Sequence, residues 1–128
     1  MNLFEYAVIR YVPRVEREEF LNVGVIVYCA SEFFLKVKFI IDESRLSALH
    51  PAFNMQELKD RLQAFCIICK GEATSGSIAR LSQASRFRWL TASRSTVVQT
   101  SPVHPGLCKS GEEALEKLLN QLVSLEQQ

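Results

Sequence analysis

The sequence predicts an α+β fold: an antiparallel-leaning sheet, made of an N-terminal three-stranded meander plus C-terminal strands, packed against two or three helices. Three observations carry this reading. Runs near the N-terminus alternate apolar and polar residues with period two. A central stretch repeats apolar residues at spacings of three and four behind a capping signal, and a second capped helix pattern closes the chain. Strands followed by helices, without strict alternation, favour α+β over a doubly wound sheet. A chain of 128 residues fits one domain spanning 1–128. That length buries about two-thirds of the unfolded surface and needs no disulfide or metal staple.

The first strand is "EYAVIRYV", residues 5–12, with Tyr6, Val8, Arg10 and Val12 on one face and Ala7, Ile9 and Tyr11 on the other. Pro13 ends it, having no N–H for a sheet ladder. "NVGVIVYCA" follows, with Val23, Val25 and Val27 sharing a face and Gly24 marking a bulge or a close backbone approach. "FFLKVKFII" places Phe33, Leu35, Val37, Phe39 and Ile41 inwards and Lys36 and Lys38 outwards. That clean alternation and the short connection before it point to antiparallel pairing.

"DESRLSALH" reads as a short helix stopped by Pro51. Asn54 with Glu57 makes a capping box for a longer helix, whose face is Met55, Leu58, Leu62, Phe65 and Cys69, with Gly71 as its stop. "GEATSGS" is a loop, "SIARLSQAS" a short helix, "FRWLT" and "STVVQTS" strands, and "SPVHPG" a loop by composition. Ser110 with Glu113 opens the final helix, with Leu115, Leu118, Leu119 and Leu122 on its apolar face. "SLEQQ" at the end is expected to fray.

Composition narrows the class of function. The net charge of +1 gives no whole-chain basic signature for nucleic acid. No apolar run reaches the roughly 20 residues of a membrane span, and the N-terminus lacks a signal-peptide pattern, so a cytoplasmic protein without membrane contact is expected. Cysteines of such a chain stay reduced. Cys66 and Cys69 form a C-x-x-C, but near the end of a helix rather than at the N-terminus that lowers a thiol pKa. Cys29, His50, His104 and Cys108 show no paired spacing for zinc, so core packing of the thiols is the expectation.

Charge distribution is less even. From Ala73 to Gly111 there is no aspartate or glutamate, yet the stretch holds Arg80, Arg86, Arg88, Arg94 and Lys109. Two readings fit. The arginines, the hydroxyls of "TASRSTVVQTS" and the Trp89 ring can form a cradle for an anion or nucleotide. Alternatively, Arg86 and Arg88 lie on the solvated side of a strand whose Phe87 and Trp89 fill the core. A second polar cluster sits in "RYVPRVEREEFLNVGV". There Arg10 interrupts an apolar strand and needs a partner, which Glu19 or another acid near the hairpin can supply. For catalysis the residues are few: His104 lies near Ser101 and Cys108, with no nucleophile elbow around them.

Two blocks, "YAVIRYVPRVEREEFLNVGVIVY" and "RFRWLTASRSTVVQTSPVHPGLC", resemble domain-of-unknown-function family 3037, a group of small bacterial proteins, over about residues 5–123. The most specific parts are "IRYVP", the glutamate before "NVGV", and the arginine-tryptophan block. The family pattern has a small residue, often glycine, where this chain has Glu18, and proline where it has Ser93. The resemblance implies no defined activity. It does imply a partner role beside HipA-like kinases, near which members are encoded. If the two blocks meet, Arg10, Glu19, Asn22, Arg86, Arg88, Arg94 and His104 line one polar site.

The function expected is therefore a binding module that recognises an anionic ligand, such as a small anion or nucleotide, or a protein partner through the arginine-rich, acid-free segment, with no cofactor identified and nucleic acid left open. The alternatives are a subunit of a kinase-like partner, or a small hydrolase or nucleotidyl-type enzyme with Glu19 or His104 as base.

Overall fold

The computed structural model describes residues 1–124 of the chain. Strands β1 (Asn2–Tyr11), β2 (Leu21–Cys29) and β3 (Phe34–Phe39) form the expected antiparallel meander. Helices α1 (Glu43–Leu49), α2 (Met55–Lys70) and α3 (Gln83–Leu90) follow, then β4 (Val98–Thr100), β5 (His104–Cys108) and α4 (Gly111–Leu122). The five-stranded sheet is open and antiparallel, in the order β3-β2-β1-β4, with β5 also paired to β1.

Both faces of the sheet are covered. Ala7, Ile9, Tyr11, Val23 and Ile26 pack against Leu46 of α1, Leu58, Leu62 and Phe65 of α2, and Phe87 and Leu90 of α3. On the opposite face Phe4, Val25, Val27 and Cys29 meet Ala114, Leu115 and Leu119 of α4. Lys36 and Lys38 point to this second face and pair with Glu112 and Glu116 of α4, so the polar side of β3 is a helix-docking edge.

β1 pairs along both of its edges. One edge carries β2; the other carries β4 opposite Ile9–Tyr11 and β5 opposite Asn2–Tyr6. The two short strands are one interrupted line, because Pro102 and Pro105 lack N–H groups. Ser101 bridges the break. Its N–H donates to Val8 O at 2.8 Å, its hydroxyl accepts the Val8 N–H at 2.9 Å, and the same hydroxyl donates to Pro102 O at 2.9 Å.

The capping signals act as the sequence predicts. Asn54 accepts from Glu57 N–H and Ser110 from Glu113 N–H. Gly71 ends α2 in the left-handed region at φ 66. A Cβ on Gly24 would meet the Phe39 ring and the Lys38 carbonyl, which is the close approach expected there.

Five local expectations are corrected. "FRWLT" is helical, not a strand: Ser82 caps α3 by accepting Ser85 N–H, and the helical period buries Arg86, Phe87 and Leu90 together. "SIARLSQAS" is mostly turn, only its last residues entering α3, and "SPVHPG" holds the start of β5 rather than loop alone. Val23 does not share a face with Val25 and Val27. The register shifts between Ile9 and Arg10, and the extra residue on β2 turns Val23 towards α2. Phe33 is 85% exposed at φ 51, because the 3₁₀ turn at Ala30–Glu32 needs a left-handed residue before β3 starts. The last four residues of "SLEQQ" lie outside the described residues.

Two stability predictions follow from the backbone. Ser101→Ala leaves the Val8 N–H buried without a partner and is expected to cost about 1–3 kcal/mol in urea unfolding. Glu18 sits in the left-handed region at φ 54, closing the 3₁₀ turn at Val15–Arg17. Glycine takes this conformation without a Cβ penalty, so Glu18→Gly relieves backbone strain. A thermal melt is expected to move up by about 1–4 °C.

Candidate functional site

The arginine-rich segment folds as α3 and the loop leading to β4, and each arginine meets a different environment. Arg86 is 8% exposed and reaches back to the end of α2. Its Nη1 donates to Ile68 O at 2.9 Å and Cys69 O at 2.8 Å, and its Nε donates to Leu81 O at 3.0 Å. Gly71 lies against the guanidinium, where a Cβ would clash. The buried charge is met by the carbonyl end of a helix dipole instead of an acid. Arg88 lies on the exposed side of α3 and grips Glu5 of β1 in a two-pronged pair at 2.9 and 3.0 Å. That hydrogen bond holds the Arg88 pKa above its ordinary value.

Arg94, like Arg86, is held by carbonyls and not by an acid. Its Nη1 donates to Leu90 O at 3.4 Å and its Nη2 to Trp89 O, which closes the carbonyl end of α3. The guanidinium lies over the Trp89 ring, 4.3 Å from its centre. Trp89, 41% exposed, and Arg94 line a cleft of about 180 Å³ with Arg61, Ala64 and Phe65 of α2 and Thr96 beside β4. Arg61 is only loosely held, at 3.8 Å from Glu57. Arg61 carries no sequence signal: it is one of several polar residues on the outer side of α2, and only the packing of α2 beside α3 brings it to Trp89, whereas Thr96 belongs to the hydroxyl-rich run.

The first polar block lies elsewhere. Arg10 faces the α4 side of the sheet, between Asn22 on β2 and Gln99 on β4. Its guanidinium stacks on Phe20 at 4.1 Å. Glu19 does not serve it: the carboxylate accepts from Arg17 at 2.6 and 3.2 Å, and that bond holds its pKa below the usual range. Arg17 and Glu19 line a polar cleft of about 370 Å³ with Arg14 and His50. Asn22 donates to Leu122 O at 3.0 Å and so fixes the end of α4. His104 is exposed, its ring 5.4 Å from that of its cross-strand neighbour Tyr6. Of the seven residues named from the sequence, Arg10 and Asn22 are therefore brought together. Arg86, Arg88 and Arg94 lie on the α3 side of the sheet, while Arg10, Asn22 and His104 belong to the α4 side.

A family model described as "Protein of unknown function (DUF3037)" matches residues 6–123, nearly the whole chain. The chain belongs to the DUF3037 family. No curated protein and no solved structure matches it. The DUF3037 match spans both polar blocks, so the pattern covers residues on both faces of the sheet and not a single cluster.

The remaining chemistry of this DUF3037 chain is quiet. Cys69 is buried on α2, and burial, then the neighbouring Cys66, pushes its thiol up to about 12. Cys66 is raised by burial as well. Such thiols stay protonated, the opposite of a redox pair. No helix among the described residues is long and apolar enough to cross a membrane.

The two neighbouring arginines of α3 are expected to separate in a mutational test. Arg86→Met leaves three carbonyl contacts unmet in the core and should cost about 2–4 kcal/mol. Arg88→Met removes an exposed pair and should cost under about 1 kcal/mol. Urea midpoints of the two variants check the contrast.

Proposed function

We propose that the protein is a binding module for an anionic ligand with a flat aromatic part, of the nucleotide type, seated in the cleft between α2 and α3. The observation that supports this most is the Arg94–Trp89 stack: an arginine without an acid partner, fixed by helix carbonyls, beside a half-exposed indole. Arg61 on the opposite wall adds a second guanidinium. Phosphate accepts from a guanidinium fork, and a base adds to the stack on the indole. The absence of acids along the segment has a physical sense here, since a carboxylate would repel the ligand.

Binding is favoured over turnover by the lining itself. Arg61, Ala64, Phe65, Trp89, Leu90, Arg94, Thr96 and Val98 include no carboxylate, imidazole or thiol. Thr96 spends its hydroxyl on Val98 O at 2.7 Å. The enzyme reading loses support from Ser101, whose hydroxyl is spent in the sheet, and from Glu19, whose lowered pKa makes it a weak base. The partner-subunit reading, beside a HipA-like kinase, draws on one feature: Leu3 and Leu107 face each other across β1 and β5, 64% and 66% exposed.

Trp89 is the chain's one tryptophan, so its fluorescence reports directly on the cleft. Titration with ATP is expected to quench it saturably. Arg94→Met should weaken the response at least about tenfold, a loss of about 1.4 kcal/mol, whereas Arg88→Met should leave it unchanged. Quenching absent with every nucleotide, or retained in Arg94→Met, refutes the site and shifts weight to the partner-subunit reading.

A further inference from the structure

The α4 side of the sheet carries a second polar feature, independent of the Trp89 cleft. Asn22, Arg10 and Gln99 stand in one row across β2, β1 and β4. Along β1 the residues on the same side, Val8 and Val12, are buried. Arg10 itself is half-buried, so part of its guanidinium is withdrawn from water and costs free energy unless it finds a partner. None of the ion pairs among the described residues involves Arg10, and the nearby Glu19 is held by Arg17. Arg10 Nε is a buried donor without a partner, and Asn22 Oδ1 is a buried acceptor without one. Asn22 cannot turn its amide to mend this, because its Nδ2 is engaged by Leu122 O. Buried polar atoms are almost always satisfied, so a neighbouring donor and acceptor left open together call for a molecule that supplies both.

We propose that Arg10, Asn22 and Gln99 form a site for a small carboxylate that carries an O–H or N–H donor on the adjacent carbon. The carboxylate pairs with the Arg10 guanidinium, and the neighbouring donor goes to Asn22 Oδ1. Phe20, 45% exposed in the β1–β2 loop and stacked on Arg10 at 4.1 Å, is the side chain that moves to admit the ligand and then covers it. A hydroxy acid and an amino acid share this chemistry, and acetate lacks half of it.

Thermal melts with sodium lactate and sodium acetate, each against sodium chloride at equal ionic strength, and with zwitterionic alanine against the same buffer without it, test the site. Native-state binding raises the melting temperature by mass action. Lactate or alanine is expected to raise it more than acetate, and which of the two does so separates hydroxy acid from amino acid. Arg10→Met replaces the guanidinium on Phe20 by an apolar thioether contact and removes the unmatched charge. It should abolish the ligand shift without lowering the melting temperature in ligand-free buffer. Gln99→Glu supplies an internal counter-ion but gives up the bond that the Gln99 amide donates to Thr96 O at 2.9 Å, so its readout is the ligand shift, which should weaken. Arg94→Met should keep the shift in full, with no change in Trp89 fluorescence on adding the carboxylate, so the two sites fail or succeed separately. Equal shifts with acetate and lactate, no shift beyond chloride, or a ligand-free loss of stability in Arg10→Met overturns the proposal.

Discussion

Everything in this fold hangs on the hydrogen bonding of β1 along both edges. The first edge is an ordinary hairpin to β2. The second is met by two short strands from a distant, proline-interrupted part of the chain, and the gap between them is closed by a serine side chain. A central strand cannot leave its N–H and C=O groups open in the core. The Ser101 hydroxyl therefore stands in for a backbone acceptor, at the one point where Val8 would otherwise lose its partner. This arrangement places β2 on one side of β1 and the β4–β5 line on the other, and so sets which face the residues of both polar blocks occupy.

The arginines of the second block illustrate how one residue type serves different ends within a single helix turn or two. Arg86 meets carbonyls, Arg88 meets an acid, and Arg94 meets carbonyls and an aromatic face. Only the last leaves a guanidinium at the wall of a cleft. An acid-free segment thus serves a helix-end cap that needs a cation and, on the proposed reading, a cleft whose charge is open to a ligand. The composition alone cannot divide them, because both require the same residues and the same lack of acids.

The same limit applies to "FRWLT". Over four or five residues, an alternating strand pattern can be drawn through Phe87 and Trp89 and a helical one through Phe87 and Leu90. The helix prevails because Ser82 caps it and because Arg86 reaches the carbonyls of α2 only from a helical backbone. Val23 is a comparable case, where one extra residue on β2 reverses a side chain that strict alternation places correctly for every later position. Phe33 reads as core from its pattern and is exposed because the turn geometry, not its hydrophobicity, fixes its backbone.

By itself the sequence determined the features that act over a few residues: the meander, the caps at Asn54 and Ser110, the stop at Gly71 and the close approach at Gly24. Its match to DUF3037 extends over residues 6–123. These depend on local sterics, period and capping chemistry, which neighbouring residues carry in full. The tertiary structure decided which face each polar block occupies, that Arg10 and Asn22 stand side by side, and that Arg61 joins Trp89 and Arg94. Those are contacts between segments far apart in the chain, and no local pattern encodes a partner that only the pairing of β1 brings into reach.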